Sequence, residues 1–180
     1  SDLDQRLDNQ ARLARFADAP PQPFRDLTWH LAEDMFAAFA RGETVTLPVH
    51  LADPILDGCE RVRVDRIQVY VDLATAAPDT PIRISVGGGP RYRDRFGGEV
   101  YGFAARRRMG CVFAYRTTES GEPRIQLPGD LGASTADGYA RPPIFTDWRL
   151  QLDTSAGYPF AARDIVAVRV AFSGTAVLRG

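Results

Sequence analysis

Ile165-Val166-Ala167-Val168-Arg169-Val170-Ala171-Phe172 is the most strand-like stretch of the chain. Val166, Val168, Val170 and Phe172 occupy alternate positions and share one face, the period-two pattern of a half-buried strand. Thr175 and Val177 extend that face beyond a bend at Gly174. Toward the N-terminus the same period recurs. Trp148, Leu150 and Leu152 mark one strand, Ile125 and Leu127 another, and Met109, Cys111, Phe113 and Tyr115 a third. Ile82, Ile84 and Val86 form a strand closed by Gly87-Gly88-Gly89-Pro90, and Val45, Leu47 and Val49 a short one. Val62 and Val64 alternate in one phase, whereas Ile67, Val69, Val71 and Leu73 alternate in the other. The slip falls at Asp65-Arg66 and predicts a β-bulge. Roughly seven or eight strands, with turn residues between them and no helical crossover, predict a mainly β fold, an antiparallel β-sandwich.

Two helices are expected before it. Leu3, Leu7, Ala14 and Ala17 recur at three- and four-residue steps, which predicts a helix over residues 2–17. Pro20, Pro21 and Pro23 break it. A second helix is expected from Asp26, as N-cap, to Arg41, with Leu27, Leu31, Met35, Ala38 and Phe39 on one face and Gly42 at its end. The division is thus a helical extension over 1–42 and a sandwich over 43–180.

With 180 residues, 44% hydrophobic and 25% charged, the chain is long enough to bury a core without metal or disulfide support. No apolar run approaches the ~18–20 residues of a membrane helix. Ser1-Asp2-Leu3-Asp4-Gln5-Arg6 lacks the basic start and apolar core of a signal peptide. Two cysteines, Cys59 and Cys111, allow at most one disulfide, and their apolar surroundings favour buried free thiols. All 22 basic residues are arginine, so a phosphate-loop, Schiff-base or general-base lysine is excluded.

The candidate catalytic features are thin. Gly87-Gly88-Gly89 follows a strand but is not followed by the Lys-Ser/Thr or apolar helix that a phosphate or dinucleotide loop needs, and reads as a flexible connection. His30 and His50 are the only histidines, with no ligand spacing for zinc and no Gly-x-Ser-x-Gly elbow for a triad. His30 reads as a half-buried helical residue and His50 as an exposed strand end. Asp130, Asp137, Asp147, Asp153 and Asp164 sit near Gly or Pro in connections and read as turn residues bonded to local backbone. No cofactor, metal or catalytic set is expected.

Arg91-Tyr92-Arg93-Asp94-Arg95-Phe96 and Arg106-Arg107-Arg108 are the strongest chemical features. Arginines among aromatics suit a protein interface, where both are energetic anchors; a charged strand edge is the plainer alternative. A net charge of −1 argues against general nucleic-acid affinity. Residues 1–60 hold 11 acids and 5 arginines, a balance of −6, while residues 83–116 hold 8 arginines and 2 acids, a balance of +6. These blocks can pair within one molecule or between copies.

Thr146-Asp147-Trp148-Arg149-Leu150-Gln151-Leu152, then Tyr158-Pro159-Phe160, then Asp164-Ile165-Val166-Ala167-Val168-Arg169-Val170 resembles the C-terminal end of the A component of bacterial Tc insecticidal toxins. In that family the last pair reads Ile-x-Asp, and here Asp164 precedes Ile165. Thr46-Leu47-Pro48 followed by Arg61-Val62-Arg63-Val64-Asp65-Arg66-Ile67-Gln68-Val69 is similar to the family's Leu-Pro segment and its basic strand start. The helix-like Leu31-Ala32-Glu33 through Phe39-Ala40-Arg41-Gly42-Glu43 is similar to the segment preceding that strand. The likeness covers roughly residues 26–180 in order. It implies a sandwich module that receives the β-propeller of the B component during assembly and translocation of a secreted toxin, five copies acting together. The 87–108 stretch has no counterpart in the family pattern, so Arg91, Tyr92, Arg93, Arg95, Phe96 and Arg106 to Arg108 are chosen as contacts on their chemistry. The alternative is a glycan-binding sandwich using Tyr139, Tyr158 or Trp148 as a stacking platform, although Trp148 alternates with Leu150 and Leu152 and is expected to face the core.

Overall fold

The computed structural model describes residues 3–4, 20–75, 77–105, 109–131 and 141–179. The chain is mainly β and its strand pairs are antiparallel. One sheet has the order β1 (Gln22–His30), β10 (Ile165–Leu178), β3 (Cys59–Leu73). The second has the order β2 (Val45–Pro48), β9 (Asp147–Leu152), β4 (Pro81–Gly87), β7 (Gly110–Arg116), β8 (Arg124–Pro128). A separate hairpin is made by β5 (Arg91–Phe96) and β6 (Glu99–Ala104).

Both sheets feed one core. Val168, Val170 and Phe172 of β10 and Val62, Val64, Ile67 and Val69 of β3 are buried in the same cluster as Ile84, Phe113, Trp148 and Leu150 of the other sheet. The Trp148 ring lies 5.5 Å from that of Phe172, and its indole N–H donates to the Ile144 carbonyl at 2.8 Å. Tyr70 of β3 meets Phe113 of β7 edge-on at 5.2 Å. The Tyr115 hydroxyl accepts the Val71 N–H at 2.9 Å, so a buried polar tip is satisfied across the sheets.

The predicted bulge is present. Ser173 pairs with Arg66 and Gly174 with Val64, leaving Asp65 as the extra residue. That flips the phase and lets Val64 and Ile67 both point inward. Gly174 is required there, because a Cβ would lie 1.8 Å from the Arg63 carbonyl oxygen. A second irregularity between Ile165 and Ala167 turns Val166 outward, 62% exposed, away from the face it was expected to share.

The second expected helix is corrected. Residues 22–30 form edge strand β1, paired with β10 from Gln22↔Ala176 to His30↔Arg169 with a shift between Phe24 and Leu27. Helical structure is confined to a 3-10 turn at Glu33–Met35 and α1 (Phe36–Ala40). Within β1, Phe24, Leu27 and Trp29 pack on the core, with Trp29 edge-on to Phe172 at 5.3 Å. His30 accordingly ends a strand and is exposed. Gly42, at φ +78°, ends α1 as expected. Leu3 and Asp4 are helical, and the rest of the 2–17 helix lies outside the described residues. Among the described residues no helix is long and apolar enough to cross a membrane.

Candidate functional site

The stretch chosen from its arginines is the hairpin. Its turn, Gly97-Gly98, has φ of +60° and +82°, the pair of positive values that a two-residue turn between twisted strands needs. β5 then pairs with β6 from Arg91↔Ala104 to Phe96↔Glu99.

The hairpin is clamped to the core at its tip and along β5. At the tip the fully buried Glu60 carboxylate accepts the N–H groups of Gly97 and Gly98, each at 2.9 Å. Arg179 closes on the same carboxylate at 3.2 Å. The Arg61 guanidinium lies 5.0 Å over the Phe96 ring. Along β5 the Arg93 N–H donates to the Phe145 carbonyl at 2.9 Å, and the Thr146 hydroxyl donates to the Arg91 carbonyl at 2.6 Å. Arg63 stands 3.2 Å from Asp94. Burial raises the Asp94 carboxyl above its ordinary value, and Arg63 with the neighbouring backbone N–H groups pulls it back.

Alternation sorts the six residues of β5 onto two faces. Tyr92 and Asp94 are buried and Phe96 half-buried beneath Arg61, whereas Arg91 and Arg93 are exposed and Arg95 half-exposed. Tyr92 is therefore corrected from a partner contact to a core residue: its ring stacks on Phe103 at 5.7 Å and meets Trp148 edge-on at 6.4 Å. Its hydroxyl is buried with no hydrogen-bond partner among the described residues, and burial pushes it up to about 12. A Cβ on Gly88 would sit 1.6 Å from that oxygen, so the Gly87-Gly88-Gly89 connection is the packed floor beneath Tyr92, not a flexible link.

The three arginines share the opposite face at two-residue steps. No described carboxylate forms an ion pair with Arg91, Arg93 or Arg95, while Arg83 and Arg116 of the same basic block are matched to Asp153 and Asp79. A cleft of about 330 Å³ adjoins Arg91 and Arg93, lined also by His50, Leu51, Thr146 and Asp147 among others. Arg106, Arg107 and Arg108 lie outside the described residues, as do Asp137 and Tyr139.

Elsewhere the turn reading of the aspartates holds at Asp153, which accepts the Ser155 N–H at 2.9 Å, and at Asp164, which accepts the Ala161 N–H at 3.3 Å. Asp130 pairs instead with Arg66 at 2.8 Å. Cys59 and Cys111 are free and half-buried, and burial raises both thiols, Cys111 to about 12. Trp148 is fully buried, as its alternation requires, and Tyr158 is exposed. No group of three or more potential metal ligands is assembled among the described residues.

Glu60, Arg61 and Arg179 escaped the sequence reading because they act from distant strand ends. The hairpin itself had a signal: Gly97-Gly98 between two six-residue runs is a hairpin pattern. Comparison with protein-family models, with curated proteins and with solved structures finds no match to this chain.

Proposed function

We propose that this chain is an antiparallel β-sandwich that works as a docking module and carries out no chemistry of its own. The observation that supports the reading most is the unpaired ladder of Arg91, Arg93 and Arg95 on a hairpin clamped at both its tip and its base. Holding cations in place without local partners leaves their pairing capacity for another molecule, and a rigid mount lowers the ordering cost of binding. The resemblance to the A component of Tc toxins names the partner class: the β-propeller of a B-type component, in a secreted assembly where several linked copies raise a modest single-site affinity. Light scattering on this chain mixed with such a propeller, at tens of micromolar, tests it. A complex that Arg91→Glu/Arg93→Glu weakens at least tenfold is expected, and no complex at low salt removes the docking role.

Exposed Tyr158 favours the glycan-binding reading as the second one, since it is 71% accessible and free to stack on a sugar ring. A glycan array with wild type and Tyr158→Ala decides it; an empty array ends it.

A further inference from the structure

β6 is an open strand edge. It pairs only with β5 among the described residues, and all six of its residues are exposed. The bonds of β5 show which way its groups point. Arg91 and Arg93 direct their carbonyl and N–H toward Thr146 and Phe145, so Tyr92, Asp94 and Phe96 turn theirs toward β6. Antiparallel register then assigns Glu99, Tyr101 and Phe103 to the inner ladder. Ala105, in the same phase, donates inward to the Pro90 carbonyl at 3.1 Å. Val100, Gly102 and Ala104 consequently turn their N–H and C=O groups away from the molecule, unpaired.

The side chains complement that edge. Val100, Gly102 and Ala104 lie on the same face as Arg95, Arg93 and Arg91, each directly opposite one arginine. Gly102 and Ala104 are too small to obstruct, and strands are spaced about 4.8 Å apart, a distance an arginine stem can cross. The guanidinium groups can therefore lie over β6 and meet whatever sits on the same face of the next strand. On the other face Tyr101 and Phe103 are about half exposed, 52% and 41%, and offer apolar contact. Open edges are normally blunted by charge. Here the charge is of one sign, displaced one strand inward, and invites an anionic neighbour.

We propose that β6 captures an extended acidic segment of a partner as an added antiparallel strand, with carboxylates at alternate positions facing Arg91, Arg93 and Arg95 and apolar residues between them resting on Tyr101 and Phe103. Main-chain bonds supply affinity and the alternation supplies selectivity. The inference rests on the docking role and gives its mode.

The test uses the full chain and (Glu-Val)4-amide carrying fluorescein on its N-terminus, followed by anisotropy. Binding is expected, with at least a tenfold loss for (Lys-Val)4, for Arg93→Glu, and for the same Glu-Val peptide N-methylated on its glutamates. N-methylation of the valines, whose N–H groups face solvent, leaves affinity within about threefold. Gly102→Pro removes one outward donor and is expected to weaken binding similarly; thermal melting checks that it folds, and the N-methyl pair needs no mutation. Equal affinity for both N-methylated peptides overturns strand addition while leaving an arginine-based docking surface intact. No binding of the Glu-Val peptide also overturns it, and the propeller mixture then tells whether docking falls too. A dimer of the chain alone that Gly102→Pro dissociates makes the occupant a second copy and likewise overturns it.

Discussion

The hydroxyl of Tyr92 has no partner among the described residues, so its ring contacts with Phe103 and Trp148 hold it in place. Tyr92→Phe is expected to cost nothing at neutral pH and to add about 1 kcal/mol if the lone hydroxyl is a net liability. The alkaline limb separates the two proteins more clearly. Below pH 10 both folded and unfolded chains keep this proton. Between pH 10 and about 12 the unfolded chain releases it first, because burial holds the folded group at about 12, so the folded state loses stability. The loss approaches about 2–3 kcal/mol. Thermal melts from pH 9 to 12 should fall less steeply for Tyr92→Phe, with Tyr115 and Cys111, both also near 12, carrying most of the remainder. An equally steep fall would show that Tyr92 titrates normally. Gly88→Ala places its methyl group against the same oxygen and should cost about 1–3 kcal/mol by overpacking, partly recovered in the Tyr92→Phe background.

Strands show where local pattern and tertiary context agree or part. The bulge in β3 was legible because a two-residue period cannot change phase without an extra residue, and Val64 and Ile67 display the change directly. Its partner, Gly174, looked like a bend; what it provides is close approach to the Arg63 carbonyl. Gly174→Ala is therefore expected to destabilise the fold by about 2–3 kcal/mol, checked by chemical denaturation, and an unchanged midpoint would count against the bulge. β1 was illegible for the opposite reason. Its Leu27 falls in helical step with Leu31, Met35, Ala38 and Phe39, and only the free edge of β10 selects the extended form. Within the hairpin, arginine content drew attention away from a clear alternation. The candidate site was thus half readable: Arg91, Arg93 and Arg95 were named from their chemistry but not their shared outer face, whereas Tyr92 belongs to the core because strand period, not residue type, decides its side. Glu60→Gln should loosen this element. It leaves Arg179 facing a neutral amide and weakens two charge-assisted bonds, so amide exchange at Gly97 and Gly98 should accelerate at least tenfold, with about 2–3 kcal/mol lost overall.

For the molecule as a whole, the near-zero net charge conceals a division that folding only partly resolves. Arg83, Arg116, Arg141 and Arg169 find aspartates within the chain, at Asp153, Asp79, Asp65 and Asp72. The β5 ladder does not, so its attraction acts between molecules and is screened by salt. Partner association is expected to slow at least tenfold between about 20 and 300 mM salt in wild type and to lose most of that dependence in Arg91→Glu/Arg93→Glu, as stopped-flow rates would show. Self-association through the acidic 1–60 block of a neighbouring copy predicts a molar mass that rises at low salt and collapses at high salt; a salt-insensitive monomer refutes it. The bond between Arg179 and Glu60 carries a practical consequence for either experiment. Cleavage of the chain ahead of Arg179, or an Arg179→Ala change, acts on the hairpin tip some eighty residues back along the chain. A change at Arg179 is therefore felt at the surface proposed above for docking.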